Sequence, residues 1–193
     1  MKTTSKNYLI TAILKDRVGI LRDITDVIYR VGGNLTDVRQ NIMAGQFVLN
    51  CLVEFGQEVD GLEFKLSLMH SVPENTAYFV VTPISTAAIK RAKQPQGGRY
   101  VAAISGADKP GRVHKIADFF AARGVNVEDW KHDFSSPPNA LTIGIVTIPP
   151  TADLSKMQTE LTAAMSADGL KASLTHENIF RATNEVGPIS SLI

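Results

Sequence analysis

The sequence predicts an α+β protein of two tandem units, each a strand-helix-strand-strand-helix-strand run folded around an antiparallel sheet. An internal repeat is the first observation behind this. Asp16-Arg17-Val18-Gly19-Ile20 returns ninety-two residues later as Asp108-Lys109-Pro110-Gly111-Arg112. Aligning residues 8–42 on 100–134 gives eight identities: Tyr8/Tyr100, Asp16/Asp108, Gly19/Gly111, Ile24/Ile116, Asp26/Asp118, Gly32/Gly124, Asn34/Asn126 and Asp37/Asp129. Unrelated segments of this length share about two at ordinary residue frequencies. A period of this size means a duplicated unit. The second observation is that apolar spacing switches between strand and helix periods in the same order in both halves.

The totals fit two small domains. The chain has 193 residues and a formal net charge of +1, enough for two modest cores. No apolar run approaches the ~20 residues needed to span a bilayer, and the polar start, Met1 to Asn7, lacks the apolar centre of a signal peptide. The single cysteine, Cys51, lies in an apolar run, which predicts a buried inert thiol and a reducing, cytoplasmic setting. A near-neutral charge argues against direct binding to nucleic acid, for which a basic face is the usual footprint.

Residues 8–15 read as a strand apolar on both parities, hence covered on both faces. Ile20, Leu21, Ile24, Val27, Ile28 and Val31 then form one helical stripe. Asp16 stands at or near its N-cap, and Gly32 ends it where a left-handed backbone is needed. Asn34 to Ile42 reads as the second strand, with Val38 and Ile42 on one face and Asp37, Arg39 and Asn41 on the other. Ala44-Gly45 makes a tight turn. Gln46 to Phe55 is the third strand, with Phe47, Leu49, Cys51, Val53 and Phe55 sharing a face. Within 56–75 a weaker helix is expected, with Leu62, Leu66 and Met69 inward and Pro73 helping to stop it. Tyr78 to Ile84 is the fourth strand. Ser85 to Gly98 has the composition of a linker.

The second half repeats the order. Arg99 to Ser105 is a strand. Pro110 to Arg123 is a helix with Pro110 in its first turn and Val113, Ile116, Phe119 and Phe120 in its stripe. Asn126 to Phe134 is a strand with Trp130 and Phe134 on the core parity, followed by a loop over Ser135 to Asn139 and a strand from Leu141 to Ile148. Asp153 to Ala167 is a helix with Leu154, Met157, Leu161 and Met165 inward, and Leu170 to Asn178 is the last strand. The expected boundaries are therefore 1–84, a linker over 85–98, 99–180, and a tail over 181–193. Each unit has the ferredoxin-like order, with both helices on one face of its sheet. Val48 and Leu52 lie on the opposite parity, which predicts that this open face is covered by the other unit or by another chain.

The repeated loop delivers the chain into a helix N-terminus, where first-turn amides lack partners and the dipole is positive. A small anion can dock there, and Gly19 or Gly111 removes a Cβ that would keep it from the backbone. Asn34 and Asn126 begin the second strands and offer a donor and an acceptor; nearby carbonyls can take an ammonium group. Together these groups suit a free α-amino acid in a small pocket that could be shared across an interface. The same residues also suit a purely structural role, with Asp16 and Asp108 as caps and the glycines serving close packing. Both readings are open at this point. Asp37 and Asp129 fit pairing with Arg39 and Lys131 or with water.

No catalytic constellation is visible. His70, His114, His132 and His176 are dispersed and unpaired with cysteine, so no metal is expected. His176-Glu177 has Phe180 where a zinc-protease helix needs its second histidine. Ser135-Ser136 has no base nearby in sequence, and Lys90-Arg91-Ala92-Lys93 reads as a solvated basic face. No cofactor is expected.

The segments 8–21 (Tyr-Leu-Ile-Thr-Ala-Ile-Leu-Lys-Asp-Arg-Val-Gly-Ile-Leu) and 32–40 (Gly-Gly-Asn-Leu-Thr-Asp-Val-Arg-Gln) resemble an ACT domain, as do 105–113 and 124–129. The tandem layout resembles the glycine cleavage system transcriptional repressor family. The first unit also resembles the N-terminal ACT segment of formyltetrahydrofolate deformylase, an enzyme that would need a further catalytic domain. The resemblance implies regulatory binding of amino acids at Asp16, Gly19, Ile20, Leu21 and Asn34, and at Asp108, Gly111, Arg112, Val113 and Asn126, often at an interface between units. Arg112 and His114 replace Ile20 and Leu21-Arg22 at the second helix start, so the two sites need not share a ligand. The expected function is that of a non-enzymatic regulator, or of a ligand-free scaffold. The regulator would bind a glycine- or serine-like amino acid and act, as a homo-oligomer such as a dimer, on a partner protein without touching DNA or a membrane.

Overall fold

The computed structural model describes residues 3–72, 77–92, 96–136 and 138–184. The expected helix stop at Pro73, the linker residues Lys93 to Pro95, the side chain of Phe134 and the tail beyond residue 184 lie outside these. The chain divides into two compact units, Met1–Gln94 and Pro95–Ile193.

Unit 1 runs β1 (Thr4–Lys15), α1 (Ile20–Arg30), β2 (Gly33–Met43), β3 (Gln46–Asp60), α2 (Gly61–Ser71), β4 (Tyr78–Pro83) and α3 (Thr86–Ala92). Unit 2 runs β5 (Gly98–Ala107), α4 (Arg112–Ala121), β6 (Asn126–Ser136), β7 (Asn139–Ile148), α5 (Leu154–Ser166), β8 (Lys171–His176) and α6 (Glu177–Asn184). The strand orders are β2-β3-β1-β4 and β6-β7-β5-β8, and every pairing is antiparallel. Two ferredoxin-like sheets are thus formed, as the repeat predicts.

Strand parity builds the cores. In unit 1, Tyr8, Ile10, Ala12 and Leu14 of β1 and Phe47, Leu49, Cys51, Val53 and Phe55 of β3 are buried against Ile20, Ile24, Val27 and Ile28 of α1. Leu21 and Val31, placed in the same stripe by the periodicity, stay partly exposed. Neither helix start is capped by an aspartate side chain. Gly19 and Gly111 occupy the N-cap positions in the left-handed region, φ 93° and 86°, without a side-chain cap bond. The tight turn is as expected, with Ala44 at φ 50° and Gly45 at φ 74°.

The inward face of α2 differs from the expected one. Phe64 and Leu68 are buried, whereas Leu62, Leu66 and Met69 are exposed. Apolar residues occur all round this helix, so spacing alone could not choose a face. Asp60 chooses it by accepting from the amides of Leu62 and Glu63 at 2.8 and 3.2 Å, which starts the helix at Gly61. Gly61 then lies against the Tyr8 ring, where a Cβ would come within 2.9 Å of it. Phe64 packs edge-on against Phe55 and at a tilt against Tyr8, at centroid distances of 5.2 and 6.0 Å.

In unit 2, Ile116, Phe119 and Phe120 of α4 are buried as expected. Val113 is exposed, and Arg112 takes the inward position. Pro110 stands in the turn before the helix rather than in its first turn. Met157, Leu161 and Met165 of α5 are buried while Leu154 is partly exposed. Two short helices were not expected: α3, inside the stretch read as linker, and α6, in the stretch read as strand end and tail. The latter packs back on β5 and β8. On the opposite sheet face of unit 1, Leu9, Ile13, Tyr78 and Val80 are exposed. In unit 2, Val101, on the same face, is buried.

The α2 assignment predicts unequal costs of truncation. Phe64→Ala should lower unfolding free energy by about 3–5 kcal/mol in a denaturant titration, and Leu62→Ala by less than about 1 kcal/mol. A larger cost for Leu62→Ala than for Phe64→Ala would mean that the helix presents the other face.

Candidate ligand-binding loops

Each loop is fixed at both ends by main-chain bonds. In unit 1 the Asp16 amide donates to Gly45 O at 3.0 Å, which ties the loop to the β2–β3 turn, and the Asp23 amide donates to Gly19 O at 3.0 Å. In unit 2 the Asp108 amide donates to Pro138 O at 2.9 Å and the Lys115 amide to Gly111 O at 3.0 Å. Glycine is needed at 19 and 111 first of all for their positive φ, which other residues adopt only with strain.

Around these matching frames the side chains differ. In unit 1, Arg17 Nη2 and Arg22 Nη2 both donate to the Asp23 carboxylate, at 2.8 and 2.7 Å. Hydrogen bonds from Arg22 and then Arg17 hold the Asp23 carboxyl below the usual carboxylate range. Arg22 also lies over Gly19, whose Cβ would sit 3.4 Å from its Nη2. Ile20 is buried in the core and Leu21 is partly exposed.

In unit 2 the residue after the glycine is Arg112, 5% exposed. Its Nη1 donates to Gly106 O at 2.9 Å, and its Nη2 to Ile104 O and Ala140 O at 2.8 and 3.0 Å. Its Nε–H is buried and without an acceptor. A pocket of about 240 Å³ opens at this helix start, lined among others by Lys109, Gly111, Arg112, Lys115, Asp168 and Leu170. Lys115 pairs with Asp168. A larger cavity, about 440 Å³, lies on the opposite sheet face between Val101, Ile145 and Phe180.

Of the predicted residues, Gly111 and Arg112 line the loop pocket, while Asp108, Val113 and Asn126 do not. Asn34 and Asn126 stand at the far ends of their own sheets. Asn34 pairs with Glu54, whereas the loop end of β1, Lys15, pairs with Gln46. Eight strand residues, roughly 26 Å at ~3.3 Å each, separate them. The same offset parts Asn126, opposite Thr147, from Ala107, opposite Asn139. Within one unit, therefore, the asparagine and the loop do not meet. Lys109, Lys115, Asp168 and Leu170 were not singled out from the sequence. The signal available for them was charge: Lys115 aligns with Asp23, so the repeat reverses sign at that place.

Deeper in unit 2, Trp130 Nε1–H donates to His132 Nε2 at 2.9 Å, and Thr142 Oγ1 lies 2.8 Å from Nδ1. Since Nε2 accepts, the neutral ring carries its proton on Nδ1 and donates it to Thr142. Burial, and then the Arg112 charge, hold the His132 imidazole below its ordinary pKa against an opposing effect of Asp108. Burial also pushes the Cys51 thiol up to about 11. Among the described residues no group of three or more histidine, cysteine or acidic side chains is placed to hold a metal ion. No helix among them is long and apolar enough to cross a membrane.

The His132 arrangement fixes a pH dependence. Its folded pKa is below its unfolded value near 6.5, so its contribution to stability is present above that pH and is lost as pH falls through the folded value. Unfolding free energy should thus drop on acidification from about pH 7.5, and less steeply in His132→Gln. Identical slopes for the two proteins would contradict the arrangement.

Residues 7–80 match the ACT-domain family model. A 55-residue stretch is 42% identical to UPF0237 proteins of Methanosarcina mazei and Methanosarcina acetivorans, covering 28% of this chain. The chain spans 60% of the length of these relatives. Among solved structures, an unknown protein from Galdieria sulphuraria superposes with a TM-score of 0.74 over 90% of this chain and 99% of its own, at 19% identity. A proposed glycine cleavage system transcriptional repressor superposes with a TM-score of 0.61 over 88% of this chain and 95% of its own, also at 19% identity. At such identities the likeness is one of fold. The family match thus lies within unit 1, over residues 7–80, and unit 2 repeats the strand order of that unit.

Proposed function

We propose that this protein is a non-enzymatic regulator that binds a small amino acid, glycine- or serine-like, at its ACT loops and passes that signal to a partner protein. The observation that carries the reading is the twin helix start. Gly19 and Gly111 begin their helices with no side-chain cap bond, a helix start carries first-turn amides and a positive dipole end, and at Gly111 a pocket opens there. An α-carboxylate fits such an end. Asn34 or Asn126 can supply the ammonium side only from a neighbouring ACT unit, which ties binding to assembly of a homo-oligomer such as a dimer. Ligand then biases assembly, and reciprocally the assembled state binds ligand more tightly. The fold shared with a proposed glycine cleavage repressor supports a role in transcriptional control of amino-acid metabolism, exerted in the cytoplasm through a protein partner rather than by contact with DNA.

One observation favours a scaffold role for unit 1. Its helix start is overlain by Arg22, and its Arg17 and Arg22 are already matched by Asp23. That loop carries its own counter-ion.

Thermal unfolding with each of the twenty amino acids at millimolar concentration tests the regulator. A ligand selective for the folded state raises the midpoint through RT ln(1 + [L]/Kd), about 2.7 kcal/mol at a hundredfold excess over Kd. One or two small amino acids should do so, and Gly19→Val or Gly111→Val in a still-folded protein should abolish the rise, which identifies the loop used. A cooperative transition that moves with none of them would leave the scaffold.

A further inference from the structure

The two loops are copies, yet the core beneath them has diverged in one direction. Under α1 lie Leu14, Phe47 and Leu49, all buried. Strand register gives their counterparts in unit 2. Leu14 pairs with Phe47 and Ala12 with Leu49, as Gly106 pairs with Ala140 and Ile104 with Thr142. Three large apolar side chains are therefore replaced by Gly106, Ala140 and Thr142, and Ile20 by Arg112. Beside these smaller residues the buried Arg112 guanidinium donates to three strand carbonyls, Gly106 O, Ile104 O and Ala140 O, while Leu170 fills the space beside Gly106.

Carbonyl oxygens satisfy donors but do not cancel the charge. Among the described residues no carboxylate forms an ion pair with Arg112, and its buried Nε–H has no acceptor. A buried cation without a counter-ion is a costly arrangement. The same residue lines the 240 Å³ pocket at the α4 N-terminus, beside Lys109 and Lys115. Asp168 is the one carboxylate among the lining residues, and Lys115 holds it. Gly111 is open on its outer side, with no atom within 4 Å of where its Cβ would be.

We infer that the unit 2 pocket is an anion site built for a ligand of net negative charge: an amino acid with a second carboxylate, or a small dicarboxylate. This rests on the amino-acid reading above for the place of binding, and corrects the class of ligand for this unit. A neutral zwitterion adds no net charge to offset Arg112, and its ammonium group finds no unpaired carboxylate in the pocket wall. Unit 1 has no such demand, since Ile20 is apolar there and Asp23 answers Arg17 and Arg22. The two loops of one chain thus discriminate by charge.

The test is thermal unfolding of the full chain with L-glutamate, L-aspartate, glutarate, inorganic phosphate, glycine and L-serine at matched ionic strength. Wild type, Arg112→Ile and Lys109→Ala are compared. Isoleucine is the residue unit 1 carries at the matching place, and Lys109 is an exposed residue whose loss leaves the core intact should Arg112→Ile fail to fold. Acidic ligands should raise the wild-type midpoint, with apparent affinity reduced severalfold by Lys109→Ala and at least tenfold by Arg112→Ile. If glycine and serine act as strongly as glutamate, or the glutamate effect survives both substitutions, the anion inference fails and the amino-acid reading stands. If phosphate matches glutamate and no amino acid stands out, the anion site holds and the amino-acid reading fails. No rise with any probe overturns both.

Discussion

At Gly19 and Gly111 the backbone enters a helix through φ near +90°, and each unit depends on that turn. It reverses the chain from the end of β1 or β5 onto the helix-bearing face of the sheet. The Asp23 and Lys115 amides close back onto the glycine carbonyls, so the turn and the first helical bond form together. The loop amides of Asp16 and Asp108 anchor the same corner to the neighbouring hairpin. With both sides pinned, the helix must lay Ile24, Val27 and Ile28, or Ile116, Phe119 and Phe120, on the strands. The constraint that aims the helix also sets where its first turn begins, and so folding and the proposed binding would share one device.

Duplication gave the chain two such corners, and the residues beneath them then parted. Unit 1 kept a dry corner filled by Leu14, Ile20, Phe47 and Leu49. Unit 2 exchanged that filling for a guanidinium and for the Trp130–His132–Thr142 chain of hydrogen bonds. Polar interiors of this kind are stable only when their donors are answered. Most are; Arg112 Nε is not. In unit 1 the charges of the loop are met outside the core, by Asp23, and the interior stays apolar.

Much of the fold was legible in the sequence because two signals agreed. The repeat gave the unit, and strand parity gave the β1 and β3 core faces, since alternation at Phe47 to Phe55 admits one inward side. The face of α2 was not legible, because Leu62, Phe64, Leu66, Leu68 and Met69 surround the helix and only the Asp60 cap sets its phase. Helices α3 and α6 were missed because each is short and lies beside Pro, Gly or polar residues. At the candidate site the glycines could be read from spacing. The separation of Asn34 from its own loop could not, since it depends on strand register, nor could the burial of Arg112, since it depends on carbonyls of β5 and β7 that the register brings beside it.

The helix starts after Gly19 and Gly111 are the proposed meeting place of a small ligand and this protein. An amide-detected NMR titration with glycine and glutamate tests it most directly. Perturbations centred on Gly19 to Leu21 and Gly111 to Val113, with one ligand favouring each loop, are the result expected. Perturbations confined to the opposite sheet face, around Val101, Ile145 and Phe180, would contradict it and move the site to the other side of the sheet.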